Sequence, residues 1–407
     1  AGLSAHDFGY LATSALVQRT ASTLQALASL DRHRGHFYNW YDTRTLQPLL
    51  PRYVSSVDSG NLAGHLLVLS EGLAEIANAP LLNPRVFDGI ADTFAVLREH
   101  AGTLPSGLAD VFRSMLDTAR AQPPQNLRDA CAMLQCMDAS AMALVDGISA
   151  ASVEALQWAQ ALRVQCHDAV ADLLWCAPWL EEDATPPDGI SAMPSLRELA
   201  RHHQQTATTA SDAIAEVPGR MQAPFLQRAA QRAAARIAEC DRLARLACSL
   251  AEADYDFLYD RARNLLAVGY NVDERRLDES YYDLLASEAR LCSFVAIAQG
   301  ELPQESWFAL GRQLTRSEGE TTLLSWSGSM FEYLMPQLVM PCFDDTLLDA
   351  TMRAAVERQI DYGRQRGVPW GISESGYNTL DAQLNYQYRA FGVPGLGLKR
   401  GLAQDLV

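Results

Sequence analysis

VEALQWAQALRVQCHDAVADL, residues 153–173, carries the pattern that decides the fold class of this chain. Its apolar side chains recur every three or four positions, at Val153, Leu156, Ala159, Leu162, Cys166, Ala169, Val170 and Leu173. This spacing places them on one face of an α-helix. Similar Ala/Leu-rich patterns run from about Leu62 to Asp256, which predicts a set of antiparallel amphipathic helices and an all-α protein.

Proline and glycine clusters interrupt these helical patterns. Pro123–Pro124 and TPPDGISAMP, which starts at Thr185, predict connections between helices. Residues 1–30 predict one helix, and the alternation in FLYDRARNLLAVGYN, residues 257–271, predicts a short hairpin. The segment from Arg34 to Asn61 mixes aromatic residues with His, Asn, Asp and Pro, so we expect a loop that presents side chains rather than a core element. The helices of residues 62–256 show no aromatic–carboxylate cluster and are expected to act as a scaffold.

Composition and charge exclude several classes of protein. The 407 residues include 33 Lys and Arg against 49 Asp and Glu, a formal net charge of -16 that would repel a nucleic-acid backbone. The chain shows no run of about 20 apolar residues and no signal-peptide pattern at its start, so we expect a segment that neither spans a membrane nor exports itself. Eight cysteines form no CxxC pair, and no histidine spacing indicates a metal site or a cofactor.

Glu288 is the first candidate for chemistry. Ser280 and Asp283 resemble a capping box, so LDESYYDLLASEARLCSFVAIA (277–298) predicts a helix that begins near Ser280. In that helix Glu288 would lie on the apolar face, where desolvation raises the pKa of a carboxyl group toward the range of a general acid. The alternative is a structural carboxylate paired with an arginine such as Arg290.

Two further segments combine aromatic side chains with carboxylates. GVPWGISESGYN, residues 367–378, places Trp370, Ser373 and Tyr377 around Glu374. Aromatic rings stack on the C–H faces of sugars while polar groups bind the hydroxyls, so this mixture suits a glycan site; a turn in which Glu374 caps a helix is the alternative. SWSGSMFEYLMP, residues 325–336, offers Trp326, Ser329 and Glu332, although its other residues also fit core packing.

Other chemistries have weaker support. GVPGLGLKRG, from Gly392, lacks the spacing of a P-loop, and no HExxH or GxSxG motif is present.

These motifs together resemble the middle region of the bacterial cyclic β-1,2-glucan synthases and, more distantly, β-1,2-glucanases and glucoamylase-like proteins. The stretches that carry the resemblance are residues 34–66, 281–291, 325–336, 367–378 and 385–402. The resemblance implies an (α/α)6 barrel, whole or incomplete in this segment, with a large helical insertion. Residues 1–61 would supply a barrel helix and an aromatic substrate loop, residues 62–256 a helical segment or insertion, and residues 257–407 the barrel region with the catalytic glutamates.

The resemblance also implies a reaction and a set of site residues. This module would close linear β-1,2-glucan into a ring, with Glu288 as general acid/base and Glu374 as nucleophile. The expected substrate-binding residues are His36, Asn39, Trp40, Tyr41, Asp42, Asp58, Asn61, Trp326, Ser329, Glu332, Trp370, Ser373, Tyr377, Tyr386 and Tyr388.

The alternatives are an inverting endo-β-1,2-glucanase and a non-catalytic glucan-binding fragment. The expected context is a soluble cytoplasmic domain of a large bacterial inner-membrane protein. Its expected partners are glycosyltransferase and phosphorylase-like modules of the same chain.

Overall fold

Helices dominate the part of the chain that the structure describes. The structure is a computed structural model, and it describes residues 1–101, 104, 106–148, 153–181, 190–201, 223–317, 319–373, 375–380, 386–389 and 392–398. The predicted all-α class is confirmed, since the strands have only two to six residues. The more specific (α/α)6 barrel stays a prediction.

Long helices occupy the first half of the chain and shorter elements the second. The helices are α1 (Gly2–Asp7), α2 (Thr13–Ala28), α3 (Ser56–Ile76), α4 (Val86–His100), α5 (Ser106–Ala121), α6 (Leu127–Gly147), α7 (Val153–Cys176), α8 (Ala223–Ala251), α9 (Ala289–Ala298), α10 (Glu305–Ala309), α11 (Met330–Leu334) and α12 (Leu347–Arg366). Residues 196–201 are also helical. The strands are β1 (Arg32–His33), β2 (His36–Phe37), β3 (Tyr53–Ser55), β4 (Tyr259–Asp260), β5 (Leu265–Leu266), β6 (Gly269–Asn271), β7 (Arg276–Leu277), β8 (Leu314–Ser317), β9 (Glu320–Leu323), β10 (Ser375–Leu380) and β11 (Tyr386–Arg389).

The chain forms two compact units. The helical unit comprises Ala1–Leu27 and Leu69–Ala247, and the mixed unit comprises Ala28–Val68 and Cys248–Val407. The chain passes from one unit to the other within α2, α3 and α8. Among the described residues, no helix combines the length and apolar character needed to cross a membrane.

Amphipathic packing builds the core of the helical unit. The stripe predicted on α7 is confirmed from Ala159 to Leu173, where each of its members is buried, while Val153 at the helix start is exposed. Phe94 of α4 packs on Phe112 of α5, with ring centroids 4.9 Å apart. Burying a side chain of this size contributes roughly 1.5–3 kcal/mol.

Local stop signals set some of the helix ends. The connection predicted at Pro123–Pro124 is confirmed: α5 ends at Ala121, and Asn126 caps α6 by accepting a bond from Asp129 N at 2.9 Å. The second predicted connection is non-helical at residues 190–194, and its residues 185–189 lie outside the described residues.

The single helix predicted for residues 1–30 is wrong, because the chain breaks between α1 and α2. Gly9 has a φ of 79°, and a Cβ there would lie 2.2 Å from the carbonyl oxygen of Arg85. Only glycine tolerates that backbone angle and approach. The break therefore depends on a contact between distant segments that periodicity cannot register.

Short strands organise the mixed unit. The hairpin predicted after Phe257 is confirmed by the antiparallel pairing of β4 with β5. The loop predicted from Arg34 to Asn61 is wrong in part: it contains β2, β3 and the first turns of α3, and Tyr38 and Val54 belong to the core. Strands of two or three residues are too short to show alternation in the sequence.

The predicted start of the helix near Ser280 is also wrong. The helix α9 begins at Ala289, and Tyr281 instead forms a bridge with Ala267. Leu284 bridges Gly311, so backbone partners from elsewhere in the mixed unit hold this segment extended. The prediction of a raised pKa for Glu288 rested on an apolar helix face, and that premise is lost.

Candidate active site

Glu288 lies in the turn that leads into α9 and is half-buried. The chain before it is held by Gly311, whose N–H donates to Asp283 O at 2.5 Å and whose carbonyl accepts from Leu285 N at 3.0 Å. The fold therefore places Glu288 at a helix entry, where a carboxylate can function, rather than within a packed helix face.

Close packing of α3 on α9 brings Asn61 to Glu288. A Cβ at Gly60 would lie 2.4 Å from the Cα of Cys292, and one at Gly64 would lie 3.4 Å from a methyl group of Leu291. The two glycines, one helical turn apart, let the helix backbones approach. As a result Asn61 Nδ2 donates to Glu288 Oε2 at 2.9 Å.

The start of α3 adds two more of the predicted polar residues. Asn39 accepts a bond from Ser55 N at 3.2 Å and donates from Nδ2 to Asp58 Oδ2 at 3.4 Å. Asp58 is exposed and lies three residues before Asn61, so both side chains extend from neighbouring positions on the helix surface. Asn39, Asp58, Asn61 and Glu288 are thus brought together.

Asn61 keeps one acceptor without a partner. Its Oδ1 is buried and accepts no hydrogen bond from the described residues, while its Nδ2 is bonded to Glu288. An unsatisfied buried carbonyl costs free energy of about 1–3 kcal/mol. Such groups are frequent at functional sites, where a ligand or a water completes the bonding.

Arg290 does not fill the role of an ion-pair partner for Glu288. Its guanidinium is buried and donates to the carbonyl oxygens of Ser287 at 3.1 Å, Glu332 at 2.9 Å and Tyr333. Burial lowers the pKa of Arg290 to about 10. The side chain fastens the entry of α9 to α11, so the alternative that pairs Glu288 with Arg290 is not supported.

Glu332 is enclosed by hydrogen-bond donors of its own loop. Its carboxylate accepts bonds from the hydroxyl groups of Ser325, Ser327 and Ser329 and from the backbone N–H groups of Trp326, Ser327 and Ser329. Ser329 and Glu332 also form a capping box at the start of α11. With 5% of its surface exposed, Glu332 holds the loop together, and its assignment as a substrate contact stays a prediction.

Gln359 joins that loop to the segment before Glu374. It is fully buried on α12 and donates to Gly328 O at 3.3 Å and to Ile372 O at 3.0 Å. Its Oε1 accepts from Ile372 N at 2.7 Å. The amide of Gln359 therefore bonds both the N–H and the carbonyl group of Ile372, and it fixes that residue as a neighbouring strand would.

Ser373, the residue directly before Glu374, is fixed in the same way. Its Oγ accepts a bond from Phe331 N at 3.1 Å at the start of α11. Trp370 is more than half exposed. Glu374 itself lies outside the described residues, so its catalytic role stays a prediction.

The tyrosines predicted beyond Glu374 lie on two paired strands. β10 contains Tyr377, and β11 contains Tyr386 and Tyr388. The strands pair antiparallel, with Gly376 opposite Tyr388 and Leu380 opposite Tyr386. The pairing brings these backbones together, while the side chains lie outside what the structure describes.

His36 is enclosed by protein. Its Nε2 donates to Asp254 O at 2.8 Å, and its ring packs edge-on against Tyr255 and Phe257 at centroid distances of 4.8 and 5.4 Å. Burial lowers the pKa of His36 to about 4, so the ring is neutral near pH 7. This environment is that of a core histidine, and a glucan contact through His36 stays a prediction.

The aromatic loop after β2 presents its residues differently. Trp40 is more than half exposed, whereas Tyr41 is half-buried and burial raises its pKa. Asp42 accepts bonds from the N–H groups of Arg44 and Thr45, both at 2.8 Å, and these bonds lower its pKa. Asp42 therefore shapes a turn, while Trp40 offers an open ring.

Trp326 is half-buried, and its Nε1 donates no bond to the described residues.

Three features escaped sequence reasoning: the anchor at Gln359, the carbonyl contacts of Arg290 and the full enclosure of Glu332. Gln359 did leave a signal, because it occupies the apolar stripe of α12 between Ala355 and Tyr362. A polar residue on such a stripe must find buried partners. The contacts of Arg290 and Glu332 depend on chain segments whose approach the sequence does not reveal.

The site thus combines a helix-entry glutamate, a bonded asparagine and a nearby aspartate, and the exposed Trp40 directly follows Asn39 in the chain. Carboxylates transfer protons or attack carbon, and indole rings stack on sugars. No group of three or more His, Cys, Asp or Glu side chains within the described ranges is arranged to hold a metal ion.

Two similarities to known proteins agree with this composition. Residues 280–403 match the family model described as putative glucoamylase, and this segment contains Glu288, Glu332 and Glu374. Over its whole length the chain is 38% identical to a segment of the cyclic beta-(1,2)-glucan synthase NdvB of Rhizobium meliloti (strain 1021). The chain spans 13% of the length of that relative. The resemblance to cyclic β-1,2-glucan synthases and to glucoamylase-like proteins, inferred from the motifs, is therefore confirmed.

Proposed function

We propose that this chain is the carbohydrate-active region that closes linear β-1,2-glucan into a ring by transglycosylation, with retention of the anomeric configuration. Two facts support the proposal: the identity to a cyclic β-glucan synthase covers the whole chain, and the glucoamylase-like match contains the candidate glutamates. The observation that carries it is the 2.9 Å bond between Asn61 and Glu288 at the entry of α9. It fixes a half-buried carboxylate close to Asp58, which is exposed.

In the first step Glu374 attacks the anomeric carbon of a β-1,2 linkage. Glu288, in its acid form, donates its proton to the oxygen of the departing sugar, so the C–O bond breaks as the glucosyl ester to Glu374 forms. Asn61 would hold the Glu288 carboxyl group in a fixed orientation while the proton moves. The segment fixed by Gln359 leads directly to Glu374 and would limit its range of positions.

The second step closes the ring. Glu288, now a carboxylate, takes the proton from the 2-hydroxyl at the non-reducing end of the same chain, and that oxygen displaces Glu374. Two inversions restore the β configuration. Water competes with the hydroxyl, so the acceptor must be held close. Trp40 and Trp370 are exposed indole rings of the mixed unit that would stack on it.

In the longer protein we propose that other modules supply and trim the linear glucan. A glycosyltransferase module would elongate the chain, and a phosphorylase-like module would shorten it. The region described here would then act on a growing glucan as its substrate.

The main enzymatic alternative is an inverting endo-β-1,2-glucanase. Retaining enzymes place their two carboxyl groups about 5–5.5 Å apart, whereas inverting enzymes leave about 6.5–9.5 Å for a water molecule. A measured separation between Glu288 and Glu374 in a glucan complex would distinguish them. A chain that binds glucan without any turnover would instead be a non-catalytic module.

The direct test is to incubate the purified chain with linear β-1,2-glucan and to measure product masses and anomeric NMR signals. A ring is lighter by one water than a linear chain of equal length, so cyclisation and hydrolysis separate by mass. We expect rings with β linkages in the intact chain and none in Glu374→Gln, because an amide cannot form the glucosyl ester. Linear products of inverted configuration would contradict the proposal.

A further inference from the structure

The helical unit contains an open cleft distinct from the residues around Glu288. Its volume is about 510 Å³, within the range of small-molecule sites, and it is lined by residues of α2, α4, α7 and the connection before α2. Tyr10, Asp92, Trp158 and Asp168 meet there. The prediction that residues 62–256 show no aromatic–carboxylate cluster is therefore wrong, because Asp92, Trp158 and Asp168 line one cleft although they lie far apart in the sequence.

Two aromatic side chains of the cleft are open to solvent. Tyr10 is 44% exposed and Trp158 is 37% exposed. The Tyr10 hydroxyl donates to Asp92 Oδ2 at 2.6 Å, which orients its ring, and this bond raises the pKa of Tyr10. Trp158 stacks on the imidazole of His100 with centroids 6.3 Å apart and an angle of 19° between the rings. Both rings are thus held in place while part of their surface stays accessible.

The chain that carries Tyr10 is fastened to the floor of the cleft. Gln165 Nε2 donates to Gly9 O at 2.8 Å, and Gln165 Oε1 accepts from Thr93 Oγ1 at 2.8 Å. These contacts join the connection between α1 and α2 to both α4 and α7. The cleft is therefore formed in advance of any ligand, which lowers the entropic cost of binding.

Polar groups with spare bonding capacity line the same cleft. The side chains of Arg19 and Asp168 form no ion pair or hydrogen bond with the residues that the structure describes, although both line the cleft. A guanidinium donates hydrogen bonds and a carboxylate accepts them, so together they match the hydroxyl groups of a sugar. With Asp92 the lining carries two carboxylates and one guanidinium, which disfavours phosphate-bearing ligands.

From this combination we infer that the cleft binds a segment of neutral glucan, as a second site that holds the chain of the substrate. The inference rests on the proposed function, since that function supplies the glucan. Open, held aromatic rings stack on the apolar faces of glucosyl units, and the unpaired polar groups bind their hydroxyls. A long polymer held at such a site would have a higher local concentration at the catalytic residues.

The test compares Trp158→Ala and Trp158→Phe with Val111→Ala, an exposed apolar residue of α5 that does not line the cleft. All three are made in the Glu288→Gln background, so that glucan is bound but not turned over. Isothermal titration with linear β-1,2-glucan fractions of defined length measures affinity and stoichiometry. We expect Trp158→Ala to weaken the affinity for long chains about tenfold, which is the loss expected for one aromatic contact. Trp158→Phe should bind with an affinity close to that of the parent.

The outcomes separate the two proposals. If Trp158→Ala binds long chains as tightly as Val111→Ala, the cleft does not hold glucan, and a protein segment of the longer polypeptide becomes the better occupant. If the parent chain binds no β-1,2-glucan of any length, the proposed function itself fails. Thermal melts of all variants verify folding, and Tyr10→Phe, which keeps the ring and loses the Asp92 bond, gives a second measurement independent of Trp158.

Discussion

Glu288 and Glu332 lie beside the starts of two helices of the mixed unit, and their surroundings differ. Glu332 is almost fully buried, and its carboxylate accepts bonds from three serine hydroxyls and three backbone N–H groups of one loop. Glu288 is half-buried and accepts the amide of Asn61, which comes from a distant helix. The first carboxylate is enclosed by its own loop, and the second is reached by a side chain from elsewhere.

This difference teaches how to separate structural carboxylates from functional ones. A carboxylate whose lone pairs are all used by its own loop stabilises that loop. One that is oriented by an amide from a distant helix and remains partly open can exchange a proton.

Glu288→Gln should reduce turnover of linear β-1,2-glucan by about a thousandfold or more, equal to about 4 kcal/mol of transition-state stabilisation. Stability should change little, because an amide can still accept the bond from Asn61. An aryl β-glucoside with a good leaving group needs less proton donation, so its cleavage should fall far less. Azide should restore its turnover with β configuration. Equal loss on both substrates without rescue by azide would make Glu288 structural, and Asp58, Asp42 or Glu332 would replace it as the acid/base.

Glu332→Gln should lower the free energy of unfolding by about 3 kcal/mol or more, because the amide leaves buried donors unsatisfied and places its own NH₂ against them. The matched control is Glu357→Gln, an exposed position of α12. Urea unfolding followed by circular dichroism measures both. If Glu332→Gln kept the parental stability but lost catalysis, Glu332 would be the catalytic glutamate and Glu288 the structural one.

His36 is a titratable base that is enclosed by protein, as the Glu332 carboxylate is. Its pKa is lowered to about 4 in the folded chain and is about 6.5 when unfolded, so between these values the unfolded chain binds a proton that the folded chain excludes. The contribution of the neutral, buried His36 to the free energy of unfolding is complete above about pH 6.5. It is lost as pH falls toward 4, by up to about 3 kcal/mol. Stability measured from pH 7.5 to 4.5 should fall less steeply in His36→Phe. Equal slopes would place His36 outside the core.

Asn61→Ala should reduce kcat about tenfold to a hundredfold while KM changes little, because it removes the amide that orients Glu288. The control Val68→Ala alters an exposed residue further along α3. Asn61→Asp should act differently: a second carboxylate beside Glu288 disfavours ionisation, so the pH–activity profile should move to higher pH. Unchanged kcat and an unchanged profile in both variants would remove Asn61 from the site.

The helical class and the candidate segments for chemistry could be predicted from the amino-acid sequence alone. The stripe of α7 and the break after Ala121 follow from interactions within a few residues, which is why they could be predicted. The motifs of residues 281–291 and 325–336 were likewise recognisable as linear strings. Their resemblance to cyclic β-1,2-glucan synthases required no knowledge of how the chain folds.

Only the tertiary structure decided how those segments meet. The helix start at Ala289 depends on the bridge to Gly311, and the bond between Asn61 and Glu288 joins residues 227 positions apart. That bond requires the close approach of α3 and α9 at Gly60. A propensity scale sums local preferences, whereas hydrogen-bond satisfaction at a buried carboxylate depends on every group around it. For that reason Glu288 and Glu332, alike as letters in the sequence, acquired different environments only when the chain folded.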